Sequence, residues 1–262
     1  MSLAIETSAL TRDFGGTRAV DALDLRVEAG SFYGFLGPNG AGKSTTIKML
    51  TGLLAPSAGT IRILGEDVSD PQRALAIKRR VGVVPENLGL YDNLTAWEYL
   101  TFVGRMHELP APVLARRRDE LLEMMDLAQE TKKLTVEFSH GMKKKLALAA
   151  ALLPNPDLLF LDEPFEGVDA VASSMLREPL RRVVQRGATI FLTSHVLEIV
   201  EKLCDHVGII DHGRIVHQGR MDDLRHDGTL EQRFLAIVGG GEGHARQALS
   251  WLDEPAAPKG ER

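Results

Sequence analysis

Residues 37–45 read Gly-Pro-Asn-Gly-Ala-Gly-Lys-Ser-Thr and stand between two very different segments. Before them Ser31–Leu36 is an apolar run of strand length. After them Lys43–Leu50 reads as a helix that stops at Thr51-Gly52. A strand that turns through three glycines straight into a helix leaves its backbone N–H groups pointing into the turn. The positive end of the helix dipole points there too. Lys43 adds a point charge, and the Ser44 hydroxyl is a hard oxygen donor suited to Mg2+. The spacing matches G-x-x-x-x-G-K-[ST], so Gly37, Pro38, Asn39, Gly40, Ala41, Gly42, Lys43, Ser44 and Thr45 are read as a cradle for nucleotide phosphates. A glycine-rich turn could match by chance, but the flanking strand and helix supply the context the motif needs.

Two further apolar runs end in chemically loaded residues. Asp157–Leu161 leads into Asp162-Glu163-Pro164, and Ala188–Thr193 leads into Ser194-His195. Carboxylates after four apolar residues need a cation or hydrogen bonds if they are buried. Asp162 is therefore assigned to a Mg2+ shell, and Glu163 to an attacking water as general base. Taken alone, the acid pair reads equally well as an exposed strand-to-turn transition, and a lone histidine at a strand end is usually structural. In an open parallel sheet, however, ligands bind along the carboxyl ends of the strands. If the three strands are neighbours, the phosphate cradle, the acid pair and His195 meet on one edge.

Between these strands the pattern changes. From about Leu88 to Leu153 apolar residues fall at helical spacing, with Pro110 separating two helices, so this stretch is expected to be a helical lobe inserted into the sheet domain. Ser139-His140-Gly141-Met142 opens its last helix, with Ser139 placed as N-cap. Lys143, Lys144 and Lys145 follow in the first turn, where the dipole disfavours cations. They read either as a solvated basic face or as a helix end built to meet an anion.

Composition mainly excludes. A net charge of −5 argues against a nucleic-acid partner, and one cysteine, Cys204, allows no internal disulfide or cysteine metal site. The start carries no signal-peptide pattern, and the apolar run Leu146–Leu153 is too short to span a bilayer. A cytoplasmic protein is expected, and any membrane part must come from another chain. Residues 1–220 are read as one domain with the helical subdomain about 88–155 inserted, followed by a small extension (221–252) and a disordered tail (253–262).

In this order, the motifs resemble the ATP-binding subunit of an ABC transporter, from about Leu10 to Gly219. Gly37–Thr45 is similar to the family's Walker A loop, Leu158–Glu163 to its Walker B strand and catalytic glutamate. Phe138–Met142 stands at its signature, Gly167-Val168-Asp169 at its D-loop, His195 at its switch histidine, and Phe14 at the aromatic that stacks on adenine. Glu86 replaces the usual Q-loop glutamine, and His140 and Met142 stand where glycine and glutamine are usual. Together with FSHGMKKKLALA, this resembles the bacterial exporters that pump drugs, antibiotics, sodium or polysaccharide.

The resemblance implies a P-loop NTPase of α/β class: a mostly parallel core sheet, an N-terminal antiparallel β subdomain and an inserted helical subdomain. It implies ATP and Mg2+ as cofactors, with Ser44, Glu86 and Asp162 on the metal. It also implies a head-to-tail homodimer in which Ser139, His140, Gly141 and Met142 cover the other copy's ATP, with Asp169 in the D-loop and the three lysines near the dimer seam or solvent. An integral membrane permease on a separate chain would meet Glu86–Asn93, placing the protein at the inner face of the membrane. Chromosome-type relatives carry long coiled coils between loop and signature, whereas Lys43 and Ser139 are 96 residues apart without heptads. Translation-type relatives usually carry two such domains, a nucleotide sensor should lack the base, and the N-K-x-D motif of GTPases is missing.

Overall fold

Strands that are apolar at every position need cover on both faces, because successive side chains point to opposite sides of a sheet. The structure, a computed structural model describing residues 2–130, 132–226 and 228–239, meets that need with two sheets and a helical lobe. The chain begins with β1 (Leu3–Phe14), β2 (Thr17–Leu23) and β3 (Arg26–Glu28), enters the core on β4 (Phe32–Leu36), and passes through α1 (Lys43–Leu50) to β5 (Ala58–Ile63) and β6 (Glu66–Asp67). After α2 (Pro71–Arg79) and β7 (Val81–Val84) come α3 (Ala96–Met106), α4 (Ala111–Met124), a 3₁₀ turn and α5 (His140–Leu152). Strands and helices then alternate: β8 (Leu158–Asp162), α6 (Ala170–Gln185), β9 (Thr189–Thr193), α7 (Leu197–Leu203), β10 (His206–Asp211) and β11 (Arg214–Arg220). Two helices follow, α8 (Met221–Arg225) and α9 (Leu230–Gly239). The far part of the expected extension and the expected disordered tail lie outside the described residues.

The core sheet has the order β11-β10-β4-β9-β8-β7, parallel except for β11. The second sheet, β2-β1-β5-β6 with β3 also on β1, is antiparallel throughout. This is the α/β phosphate-loop fold expected from the motifs. One local expectation differs. The alternation over Leu23–Glu28 predicts a single strand, but the chain breaks at Asp24-Leu25, where the Asp24 carboxylate accepts the Ala9 N–H at 2.7 Å.

Side-chain alternation divides the core into two layers. Tyr33, Phe35, Leu158, Phe160 and Phe191 face α1 and the antiparallel sheet, while Phe32, Leu36, Leu159, Leu161, Ile190 and Leu192 share a layer with residues of α5 and α6. At the centre of the first layer Phe191 lies 5.6 Å from Tyr33, 5.1 Å from Phe35 and 5.6 Å from Phe160, centroid to centroid. These rings tie together the three strands that carry the chemistry.

The helical lobe is organised by its caps and one buried cation. Thr95 and Glu98 form a reciprocal capping box at the start of α3, which satisfies N–H groups the helix cannot. Arg118 of α4 stacks on Trp97 of α3 at 4.0 Å and donates to Thr101 Oγ1 at 3.2 Å. Among the described residues no helix is long and apolar enough to cross a membrane.

Because Phe191 is fully buried among three rings, Phe191→Ala should cost about 3–5 kcal/mol. The measurement is the shift of the urea unfolding midpoint, with ATP-analogue binding retained in the folded fraction.

Candidate functional site

The three loaded strands are neighbours: β4 pairs with β9 and β9 with β8, all parallel, so their carboxyl ends open on one edge. The phosphate loop leaves β4 through a narrow passage. A Cβ at Gly37 would overlap the carbonyl oxygen of Ile210, and one at Gly42 that of Ala19. Gly42 also has φ +107°, which only glycine adopts without strain. Two of the motif's glycines are therefore demanded by packing as well as by the ligand. No side chain caps α1 at Gly42, so its first N–H groups remain for a ligand. Lys43 is buried and donates to the carbonyls of Gly37 at 2.7 Å and Pro38 at 3.1 Å. Burial pushes its pKa down, opposed by Glu163, Asp162 and Glu86.

Alternation along β8 places Asp162 on the same sheet face as Leu158 and Phe160, the face that packs on α1. Its ladder partner is Thr193, whose Oγ1 donates to Asp162 Oδ1 at 2.6 Å and accepts the Glu163 N–H at 3.1 Å. Glu163 then leaves the pleat with φ +49°. Its Oε2 accepts the His195 N–H at 3.1 Å and lies 3.0 Å from His195 Nδ1. Burial raises the Glu163 pKa, against the lowering influence of His195 and Lys43. The His195 ring itself is half exposed.

Asn39, Gly40, Gly42, Lys43, Ser44, Thr45, Glu86, Glu163 and His195 line one cavity of about 530 Å³. Asp162 lies buried beside its partner Thr193, while Ala41 is packed in the core and Pro38 is half-buried. The other expected residues stand apart from the cavity lining. Phe14, 49% exposed, ends β1 with the Arg12 guanidinium 4.5 Å over its ring. Ser139 caps α5 by accepting the Met142 N–H at 3.3 Å; Ser139 and His140 are exposed, Gly141 and Met142 half-buried. Asp169 is exposed and stands just before α6.

The lysines require a correction. The solvent-face alternative fails for two of them: Lys144 and Lys145 are buried within this chain, and Lys144 Nζ donates to the Glu163 carbonyl at 2.7 Å. Sequence reasoning also missed Thr193 as the partner of both acids, and Glu166 as part of the cavity lining. Thr193 carried a signal, since it aligns with Asp162 once the two apolar runs are set in parallel register. Lys144 carried a weaker one: it begins the run of buried positions 144–151 along α5.

The oxygen donors Ser44, Asp162 and Glu86 fit a hard divalent cation, and the carboxylate charge that Lys43 senses from Asp162, Glu163 and Glu86 favours one beside phosphates. Among the described residues no three His, Cys, Asp or Glu side chains converge on a ready-made metal site.

A glycine-rich loop that runs from a parallel strand into an uncapped helix start, with an acid at the end of a neighbouring strand lining the same cavity, is the arrangement of the P-loop nucleotide hydrolases, and the helical lobe between loop and acid strand narrows that class. Residues 20–166 match the family described as ABC transporter, and the chain belongs to that family. It is an ATP-binding subunit of such a transporter and an ATPase. The chain is 41% identical, over 85% of its length and 67% of the relative's, to the daunorubicin/doxorubicin resistance ATP-binding protein DrrA of Streptomyces peucetius. It is 43% identical, over 86% of its length and 72% of the relative's, to the bacitracin transport ATP-binding protein BcrA of Bacillus licheniformis. A solved ATP-binding subunit of an ABC transporter superposes with a TM-score of 0.83 at 31% identity, over 90% of this chain and 99% of that one.

A carboxyl group whose pKa is raised by folding stabilises the fold below its unfolded pKa and loses that contribution as pH rises through the folded value. Glu163→Gln should therefore melt above the parent at pH 7. The gain should vanish in acid, below the ordinary glutamate value of 4.5, where the parent carboxyl is neutral in both states. Differential scanning calorimetry across that range reads the difference.

Proposed function

We propose that this chain powers export through a separate membrane permease by closing, as a head-to-tail pair, over two ATP molecules. The observation that carries the reading is the division of the site. The phosphate cradle, Glu163 and His195 line one cavity, while Ser139–Met142 stand exposed or half-buried elsewhere, with Ser139 occupied only in capping its own helix. In a pair, Ser139 and Gly141 of each copy cover the γ-phosphate held by the other. The likeness to a drug-resistance protein and a bacitracin transport protein supports export.

Within each site the half-exposed Phe14 ring stacks on adenine, and the N–H groups of Gly40 to Thr45 hold the phosphate oxygens. Lys43 exchanges its two carbonyl partners for the β- and γ-phosphates. Ser44, Asp162 and Glu86 would hold Mg2+, which supplies charge neutralisation between the phosphates. Glu163 accepts a proton from the attacking water as the new O–P bond forms and the bond to the ADP oxygen breaks, releasing ADP and inorganic phosphate. His195 donates to the departing γ-phosphate. Burial raises the Glu163 pKa, which strengthens it as a base.

A docking place for the permease adjoins Glu86. Pro85, Leu88, Leu90, Tyr99, Val103 and Ala150 line a groove of about 300 Å³ between β7, α3 and α5. Beside it Tyr91 and Phe102 are exposed and packed edge to face at 5.3 Å. An apolar segment seated there would push on the chain that carries Glu86 into the cavity, coupling hydrolysis at the inner membrane face to the permease.

Glu163→Gln should bind ATP with near-parental affinity and hydrolyse it at least about 10²-fold more slowly, trapping the closed pair; near-normal turnover removes Glu163 from the base role. Lys43→Ala should instead lose nucleotide affinity, read by equilibrium binding. Tyr91→Asp should abolish co-purification with the membrane subunit yet bind ATP normally. Co-purification at the parental level rejects this surface.

A further inference from the structure

His140 and Lys144 are four residues apart and so share a face of α5. That face turns to the loop after β8 of the same chain. A Cβ on Gly167 would stand 3.0 Å from the His140 ring, and Lys144 Nζ reaches the Glu163 carbonyl at 2.7 Å. Lys144 is only 2% exposed, and an ammonium group there bears a desolvation cost that an apolar residue of similar length would avoid. Burial lowers its pKa against the pull of Glu166, Glu163, Asp162 and Glu86, of which all but Asp162 line the cavity. The carbonyl it holds belongs to a residue with φ +49°, a conformation that costs energy for any side chain other than glycine. From this turned backbone the Glu163 side chain accepts the His195 N–H.

We propose that Lys144 is a positioning residue: it clamps Glu163 in its left-handed, hydrolysis-ready conformation and makes that clamp depend on where α5 sits. The inference rests on the reading of Glu163 as base and Ser139 as a contact to the partner copy's ATP. Ser139 and Lys144 belong to one rigid helix start, so the displacement that seats Ser139 on the other nucleotide also moves Nζ relative to Glu163. Each copy's base is thus tuned by its own grip on its neighbour's ATP.

The test uses the purified full-length chain, with steady-state hydrolysis, equilibrium binding of a fluorescent ATP analogue and thermal melting. Lys144→Met should lower kcat about tenfold or more, as expected for a displaced reacting group, with KM and analogue affinity within about twofold of the parent. It should melt close to the parent, because the desolvation cost removed with the buried charge offsets the lost carbonyl bond and the lost attraction to the acids. Lys144→Arg, which restores a donor, should recover at least a third of the parental kcat. Losses in Ser139→Ala and Lys144→Met should combine to less than their product, because both act along one helix. A Met variant within twofold of parental kcat, a Met variant that melts well below the parent, an Arg variant no faster than Met, or fully multiplicative losses would each overturn the proposal. Glu163→Gln run alongside separates the failures: if it alone stops turnover, only the clamp is wrong, whereas if it too turns over normally, the base assignment falls first.

Discussion

Thr193 Oγ1 donates to Asp162 Oδ1 at 2.6 Å and accepts the Glu163 N–H at 3.1 Å, across the ladder between β8 and β9. One hydroxyl thereby ties down two adjacent acids that face different partners. Asp162 stays in the pleat, facing α1 and the phosphate loop; Glu163 leaves it and turns to His195. The bond pair exists only because β9 lies between β4 and β8 in parallel register, and that register is held by the Phe191 ring packed among its neighbours. Core packing two residue pairs below the site thus helps set which way each carboxylate points.

Charge is the second constraint. Glu86, Asp162, Glu163 and Glu166 act on two buried ammonium groups, Lys43 and Lys144. The lysines are affordable in a partly desolvated place only because the acids are near, and the acids likewise gain from the lysines. A polyphosphate adds further negative charge to a set where carboxylates already outnumber ammonium groups. This excess of negative charge fits the proposal that a divalent cation would accompany the nucleotide, and the hard oxygen donors are of the right kind to receive one.

Much of this was legible in the sequence, for identifiable reasons. Gly37–Thr45, Asp162-Glu163 and His195 each follow an apolar run, and runs without alternation imply buried parallel strands whose ends share an edge. Pattern therefore predicted which residues would meet. It could not predict hydrogen bonds between strands, so Thr193 went unnoticed, because its role depends on a register that no single segment encodes. Lys144 was misplaced for a different reason. A lysine near the start of a helix is usually solvated, and the packing of α5 under the loop after β8 buries this one. The break at Asp24 was hidden likewise, since the carboxylate that creates it bonds to Ala9 on a different strand.

Helix α5 explains why the domain reads as half of a machine. Its first residues, Ser139 and His140, are exposed, whereas from Lys144 onward the side chains are buried against the sheet and the lobe. A helix that begins in solvent and continues into its own active-site wall has one end available to another molecule and the other fixed to the chain's own chemistry. Since α5 packs on β7, whose end carries Pro85 and Glu86, the same helix also borders the apolar groove. On the proposed reading, contact with a second copy, alignment of Glu163 and pressure in the groove would all act on this one helix, whose thirteen residues would transmit a displacement from one to the others.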